Sequence, residues 1–212
     1  LPMLQTSTGY SSNSEYSPQP FVALWMRDRD SNVVYAGINN VDTIALGSAG
    51  SGITAGSTTS IRVGFARPGS VDAYWKGAIY EVIIFNFDLT ETQRRGIHLY
   101  LTNKYKLPYG SGMVDDGAAA AALSVEMELP TTTLSLTPSL WLDAAMITSS
   151  DGSRIATWED QSSNGYDLAN AISSFQPVFE TNVFGGSKPG VGFSAPDSTL
   201  LSSTGVGATH GQ

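Results

Sequence analysis

The 212-residue chain contains no cysteine, which excludes disulfides and thiolate metal ligands. Oxidising and reducing compartments are equally compatible with that absence. It also lacks any run of about 18 uninterrupted apolar residues, so no transmembrane helix is predicted. Basic residues are scarce where acidic ones collect. Residues 1–110 carry 9 Lys+Arg against 8 Asp+Glu, residues 111–212 carry 2 against 11, and the formal charge is −8. An acidic half so poor in cations repels nucleic acid and anionic lipid, and neither is an expected partner. Histidine occurs only as His98, on a predicted helix among Arg and Tyr residues, and as His210, in a terminal glycine-rich run. Both read as solvated side chains rather than general bases. No glycine-rich loop carries the Lys-Ser/Thr of a phosphate cradle. The chain shows no N-terminal signal pattern and does not begin with Met, which reads as a processed or partial sequence.

What is present points to strands. Twenty-two glycines and ten prolines punctuate short apolar runs, the pattern of an all-β chain with many turns. Residues 1–20 are rich in Ser, Gln, Pro, Asn and Tyr, lack a hydrophobic period, and read as a long loop. Phe21 to Met26 and Val33 to Ile38 are predicted as a hairpin around a charged turn. Asp42 to Leu46 is a short strand, Gly47 to Thr58 a loop, and Ile61 to Phe65 an alternating half-solvated strand. Val82-Ile83-Ile84-Phe85 lacks polar alternation and reads as a strand buried on both faces.

One helix is predicted, near residues 90–107. Thr90 is a good N-cap and Gln93 completes a capping box. Glu91 suits the positive end of the helix dipole, and Lys104 and Lys106 the negative end. Ile97, Tyr100, Leu101 and Tyr105 recur at helical spacing and form the expected buried stripe, while Pro108 and Gly110 stop the helix. Gly96 is its weak point.

Residues 109–133 change character: Gly110-Ser111-Gly112, then Met113, then five consecutive alanines from 118 to 122. They read as a linker. Met113 after Gly-Ser-Gly suggests an engineered junction between an original C terminus and an original start. An ordinary linker between tandem domains fits equally well.

The residues after 133 resemble the opening of a laminin-G-like, concanavalin-A-like domain of bacterial and phage surface proteins. The resemblance rests on Leu140 to Ala144 (Leu-Trp-Leu-Asp-Ala), Trp158 to Gly165, Gln176 to Phe179, and Lys188 to Phe193. Ser163 replaces the usual glycine of the second motif, and Gly192 replaces a larger, often charged residue. Trp75-Lys76-Gly77 through Leu107 resembles the segment that closes such a domain. The order is therefore inverted: residues 1–108 correspond to the C-terminal half, 109–133 to a linker, and 134–212 to the N-terminal half. The resemblance implies one all-β, laminin-G-like jelly-roll β-sandwich, circularly permuted, with no final strand evident after the glycine-rich run from Gly205 to Gly211. A linker of roughly 25 residues, at about 3.3 Å each, can span a small domain. A monomer is therefore expected, with a half-exchanged oligomer as the alternative.

The resemblance implies a non-catalytic binding module, with a glycan or another surface protein as partner, at an extracellular or virion surface. A structural or assembly module is the competing reading. Glycosidases of related fold place a Glu-x-Asp-x-x-Glu pattern on one strand, and that spacing does not occur here. Glu159 and Asp160 are adjacent and would point to opposite faces of a strand. Sugar rings stack on exposed aromatics beside polar groups. The candidate ligand-binding residues are therefore Tyr10 and Tyr16 in the N-terminal loop, then Tyr74 and Trp75 beside Asp72. Core packing competes for Trp75, and Trp25, Trp141 and Trp158 read as core. Relatives of this fold often bind Ca²⁺ through loop oxygens. Asp160, Asn164 and Asp167 are the candidate metal residues, Asp160 first; Asp143 and Asp151 frame a second acidic segment. The competing reading is that Asp160 and Asn164 hydrogen-bond their own turn.

Overall fold

A computed structural model describes residues 21–28, 33–38, 44–48, 62–64, 75, 77–107, 136–183, 188–193 and 200–202. They form twelve strands and one α-helix. Strands β1 (Ala23–Asp28), β2 (Val33–Ile38), β3 (Ile44–Ser48), β4 (Arg62–Val63), β5 (Gly77–Ile79) and β6 (Glu81–Ile84) precede helix α1 (Glu91–Tyr105). After it come β7 (Leu140–Asp143), β8 (Thr157–Trp158), β9 (Leu168–Ala169), β10 (Val178–Val183), β11 (Lys188–Phe193) and β12 (Leu200–Ser202). The protein is mainly β, in small antiparallel sheets. No helix among the described residues is long and apolar enough to cross a membrane.

The chain divides into two compact units. Among the described residues, the first takes in 62–84 and 139–202, and it contains three sheets: β10-β11-β5, β4-β12-β9-β8, and the pair β6-β7. Strands early in the chain pair with strands late in it. Val191 lies opposite Ile79, Leu200 opposite Val63, and Val82 opposite Leu142. Their side chains share one core, in which Leu140, Leu142, Trp158, Leu168, Val191, Phe193 and Leu200 are all but completely buried. Ile79, Val82 and Ile84 pack against it from the early strands. Each such side chain contributes about 1.5–3 kcal/mol of burial.

The apolar run that reads as one doubly buried strand differs in the structure. Val82, Ile83 and Ile84 lie in β6, which pairs with β7 and is separated at Tyr80 from β5, which pairs with β11. Only Val82 and Ile84 of β6 pack on the core, and all four of its residues are half-buried. Strand β12 was not expected from the sequence; Leu200 closes the core opposite Val63 of β4, and Leu201 and Ser202 pair with β9.

The second unit holds the hairpin-derived sheet β1-β2-β3 and helix α1. Residues 23–28 pair with 33–38 in antiparallel register, as a hairpin predicts, but Arg27 and Asp28, read as part of the turn, belong to β1. The helix starts as expected. Thr90 Oγ1 accepts from Gln93 N at 3.3 Å, and Gln93 Oε1 accepts from Thr90 N at 2.8 Å. Its end differs: Lys106 turns left-handed at φ 55° and closes the helix before Pro108 is reached. Arg94 Nη1 donates to Leu89 O at 2.6 Å, bracing the first turn against the segment that leads into it. The buried helix residues are Ile97, His98 and Thr102. His98, expected in solvent, is only 4% exposed. It lies four residues before Thr102, so the two share a face, and Thr102 Oγ1 donates to His98 O at 2.9 Å.

Candidate functional site

Asp160 is the hub of the segment 159–167. Its Oδ1 accepts from Trp141 N and Ser162 N, both at 2.9 Å, and its Oδ2 accepts from Ser162 Oγ at 2.7 Å and Tyr166 N at 2.9 Å. The bond to Trp141 ties the turn to β7, and Gln161 N donates to Trp141 O at 2.7 Å, so the segment extends the ladder on that side of β7. Burial opposes ionisation of Asp160, but the hydrogen bonds from Trp141, Ser162 and Tyr166 outweigh it and hold the carboxyl below its ordinary range. Asp167 Oδ1 accepts from Asp160 N at 2.8 Å, and Asn164 Nδ2 donates to Ser139 O at 3.0 Å.

Calcium requires six to eight oxygen ligands converging on one point. In this arrangement both Asp160 oxygens are engaged with N–H and O–H donors, and the Asn164 amide N–H is directed at Ser139. The three side chains do not fit a Ca²⁺ site as they stand. Among the described residues no group of three or more His, Asp or Glu is placed to hold a metal ion. The carboxylates of the second acidic segment are also engaged, one in its own turn and one with β10. Asp143 Oδ1 accepts from Ala145 N at 2.9 Å, and Asp151 Oδ1 accepts from Thr181 N at 2.7 Å and Thr181 Oγ1 at 2.9 Å.

The candidate aromatics fall differently. Tyr10, Tyr16 and Tyr74 lie outside the described residues, as do the side chain of Trp25 and the whole of His210. Trp75 is half-buried and packs against the core, with its N donating to Gly64 O at 2.7 Å. Gly77 adopts φ 134°, a conformation side chains rarely take, and a Cβ there would stand 3.5 Å from Trp75 Nε1. Trp158 is core, at 1% exposure. Trp141 is half-buried on the face of β7 away from the core, and its Nε1 donates to Glu81 Oε1 at 2.8 Å.

One arrangement on the sheet β10-β11-β5 was not anticipated as a site. Val191 and Phe193 point into the core, which leaves Gly190 and Gly192 on the opposite face of the central strand. Ala78 and Val178 lie opposite Gly192, and Glu180 lies opposite Gly190. Gly190 and Gly192 are nonetheless buried, because side chains of the flanking strands close over them. A Cβ on Gly190 would lie 3.2 Å from Ala78 Cβ and Val183 Cγ2 and 3.5 Å from Tyr80 Cδ1. A Cβ on Gly192 would overlap Glu180 Oε1 and lie 2.7 Å from its Cδ. The Glu180 side chain therefore occupies the space that any residue larger than glycine at 192 would take.

Glu180 is half-buried, yet no hydrogen bond or ion pair reaches its carboxylate among the described residues. Burial, and then the charge of Glu180, push the Tyr80 phenol above its ordinary range. The strands that flank β11 thus bring a half-buried carboxylate and a half-buried aromatic ring together over two buried glycines. The sequence held one signal for this arrangement, the departure at Gly192 from the larger residue of the resembling domains.

Comparison with protein-family models, curated proteins and solved structures finds no match.

Proposed function

We propose that this chain is a non-catalytic carbohydrate-binding module of a phage or bacterial surface protein. In this reading the sheets form a laminin-G-like jelly-roll sandwich in permuted order. The observation that carries the proposal is the half-buried Tyr80 ring and Glu180 carboxylate, which share the face of the sheet β10-β11-β5 away from the core. Sugars need an aromatic surface for their C–H faces and acceptors for their hydroxyls, and this face offers both. Trp75, Tyr10, Tyr16 and Tyr74 remain candidates for further contacts. A glycan array followed by titration of each hit tests the reading. Tyr80→Ala should weaken binding by about tenfold or more, the loss expected of one stacking contact of about 1.4 kcal/mol. An array silent for the folded protein would remove the proposal.

A second reading, a structural or assembly module, draws on the ladders β4–β12, β5–β11 and β6–β7, which join distant parts of the chain. The same ladders can form between molecules, which would produce exchanged dimers or chains. Light scattering over a wide concentration range separates the two. A constant mass near 22.4 kDa supports a self-contained module, and growth with concentration supports assembly.

A further inference from the structure

We propose that Asn164-Gly165 is a site of self-modification, in which the Gly165 peptide nitrogen closes on the Asn164 side chain and the product loosens the Asp160 turn.

Asn164-Gly165 is the one Asn-Gly pair in the chain, and both residues are exposed. A glycine after asparagine leaves the next peptide nitrogen unshielded, and nothing lies within 4 Å of the place where a Gly165 Cβ would stand. Among the described residues, Gly165 N makes no hydrogen bond of ordinary geometry. The nucleophile is therefore uncommitted, and the electrophile beside it is a neutral amide.

The reaction needs only water. Gly165 N bonds to Asn164 Cγ as the Cγ–Nδ2 bond breaks, and the Gly165 N–H proton leaves with Nδ2 as ammonia. A five-membered imide results. Water then opens the ring at Cγ, which gives Asp, or at the main-chain carbonyl, which gives isoaspartate with the backbone routed through Cγ.

Asp151-Gly152 supplies the contrast. It is exposed too, and Gly152 has φ 76° against 67° for Gly165. Its nitrogen is committed, however, because Gly152 N donates to Phe179 O at 2.8 Å. The Asp151 carboxyl is held in its charged form by bonds from Thr181 N and Thr181 Oγ1, and a carboxylate is a poor electrophile. Hydrogen bonding thus arms one of two similar turns and protects the other.

The product would not fit the turn as Asn164 does. Asn164 Nδ2 donates to Ser139 O at 3.0 Å and to Ser162 Oγ at 3.3 Å. A carboxylate only accepts. Conversion therefore removes the side-chain tie to Ser139, the residue before β7, and adds a negative charge to a turn that already holds Asp160 and Asp167.

The test holds the full chain at mildly alkaline pH for several days, then locates changes by peptide mass spectrometry. Position 164 should gain about 1 Da and resolve into two isomers, while Asn170 and Asn182 keep their mass and Asp151 gives no second isomer. The folded chain should react more slowly than the urea-unfolded chain by about tenfold or less, the cost of releasing the Asn164 amide. Reacted protein should melt about 2–4 °C lower. Gly165→Ala should slow the reaction, and Asn164→Gln, whose ring would need six members, should stop it. An unreactive Asn164 in the folded chain overturns the proposal. So does equal reaction at Asp151, which would make exposure rather than hydrogen bonding the cause. A melt unchanged after full conversion overturns the loosening of the turn.

Discussion

Single side chains set the pH behaviour of this protein, and two of them act in different windows. His98 is buried with neither ring nitrogen hydrogen-bonded among the described residues, and burial lowers its pKa from 6.5. The unfolded chain therefore takes up a proton that the folded chain resists, and stability falls as pH drops below about 6.5 towards the folded value. Asp160 acts in more acid solution. Its folded pKa lies below 3.8, so its contribution is complete above that value and is lost as pH falls towards the folded one. Thermal melts from pH 8 to 3 should show both limbs, and His98→Leu should flatten the first while sparing the second. A melt unchanged between pH 7 and 5 would remove the first assignment. Asp160→Ala should cost roughly 2–4 kcal/mol by chemical denaturation, because it strands donors from three residues. A loss under about 0.5 kcal/mol would mean the turn holds without it.

At the scale of elements, helix α1 shows what was legible and what was not. Its start could be read because capping is local: Thr90 and Gln93 satisfy each other within one turn. Its end could not, because a left-handed lysine leaves no mark in the sequence. Lys106→Gly should therefore stabilise the protein by about 0.5–1 kcal/mol in urea unfolding, since glycine adopts φ 55° without a Cβ penalty. No change or a loss would show that the Lys106 side chain has a compensating role. Strands β1 to β4 and β6 were legible from apolar runs and turn residues, and β7, β10 and β11 from the resemblance. The break at Tyr80 was not, since it depends on a change of partner, which is a non-local event. Strand β12 escaped notice because Leu200-Leu201-Ser202 is too short to show a period. His98 looked solvated because its sequence neighbours are polar, whereas burial follows the helix face it shares with Thr102. The Asp160 turn was legible as a cluster of turn-forming side chains, and its bond to Trp141, nineteen residues away, was not. The packing of Glu180 over Gly192 had only that glycine to announce it, because Glu180 and Tyr80 meet through two ladders whose register no single segment encodes.

At the scale of the whole molecule, the first unit draws its core from segments on either side of residues 85–138. Three ladders link these segments, so covalent continuity is not what holds them in register. Residues 1–108 and 134–212, produced as separate chains in one cell, should therefore copurify through a tag on either piece. Independent behaviour of two soluble pieces would mean the ladders cannot form without the connection.

The pairing of β6 with β7 also has a consequence during synthesis. Strand β6 ends at Ile84 and β7 begins at Leu140, so 55 residues separate them. At about 5–20 residues per second, a ribosome leaves Val82 and Ile84 without their partners for about 3–11 seconds after they are made. Through that interval the nascent chain offers an apolar strand edge to whatever is nearby. Yield of the intact protein should thus depend on translation speed and on the chaperones that wait at the exit tunnel.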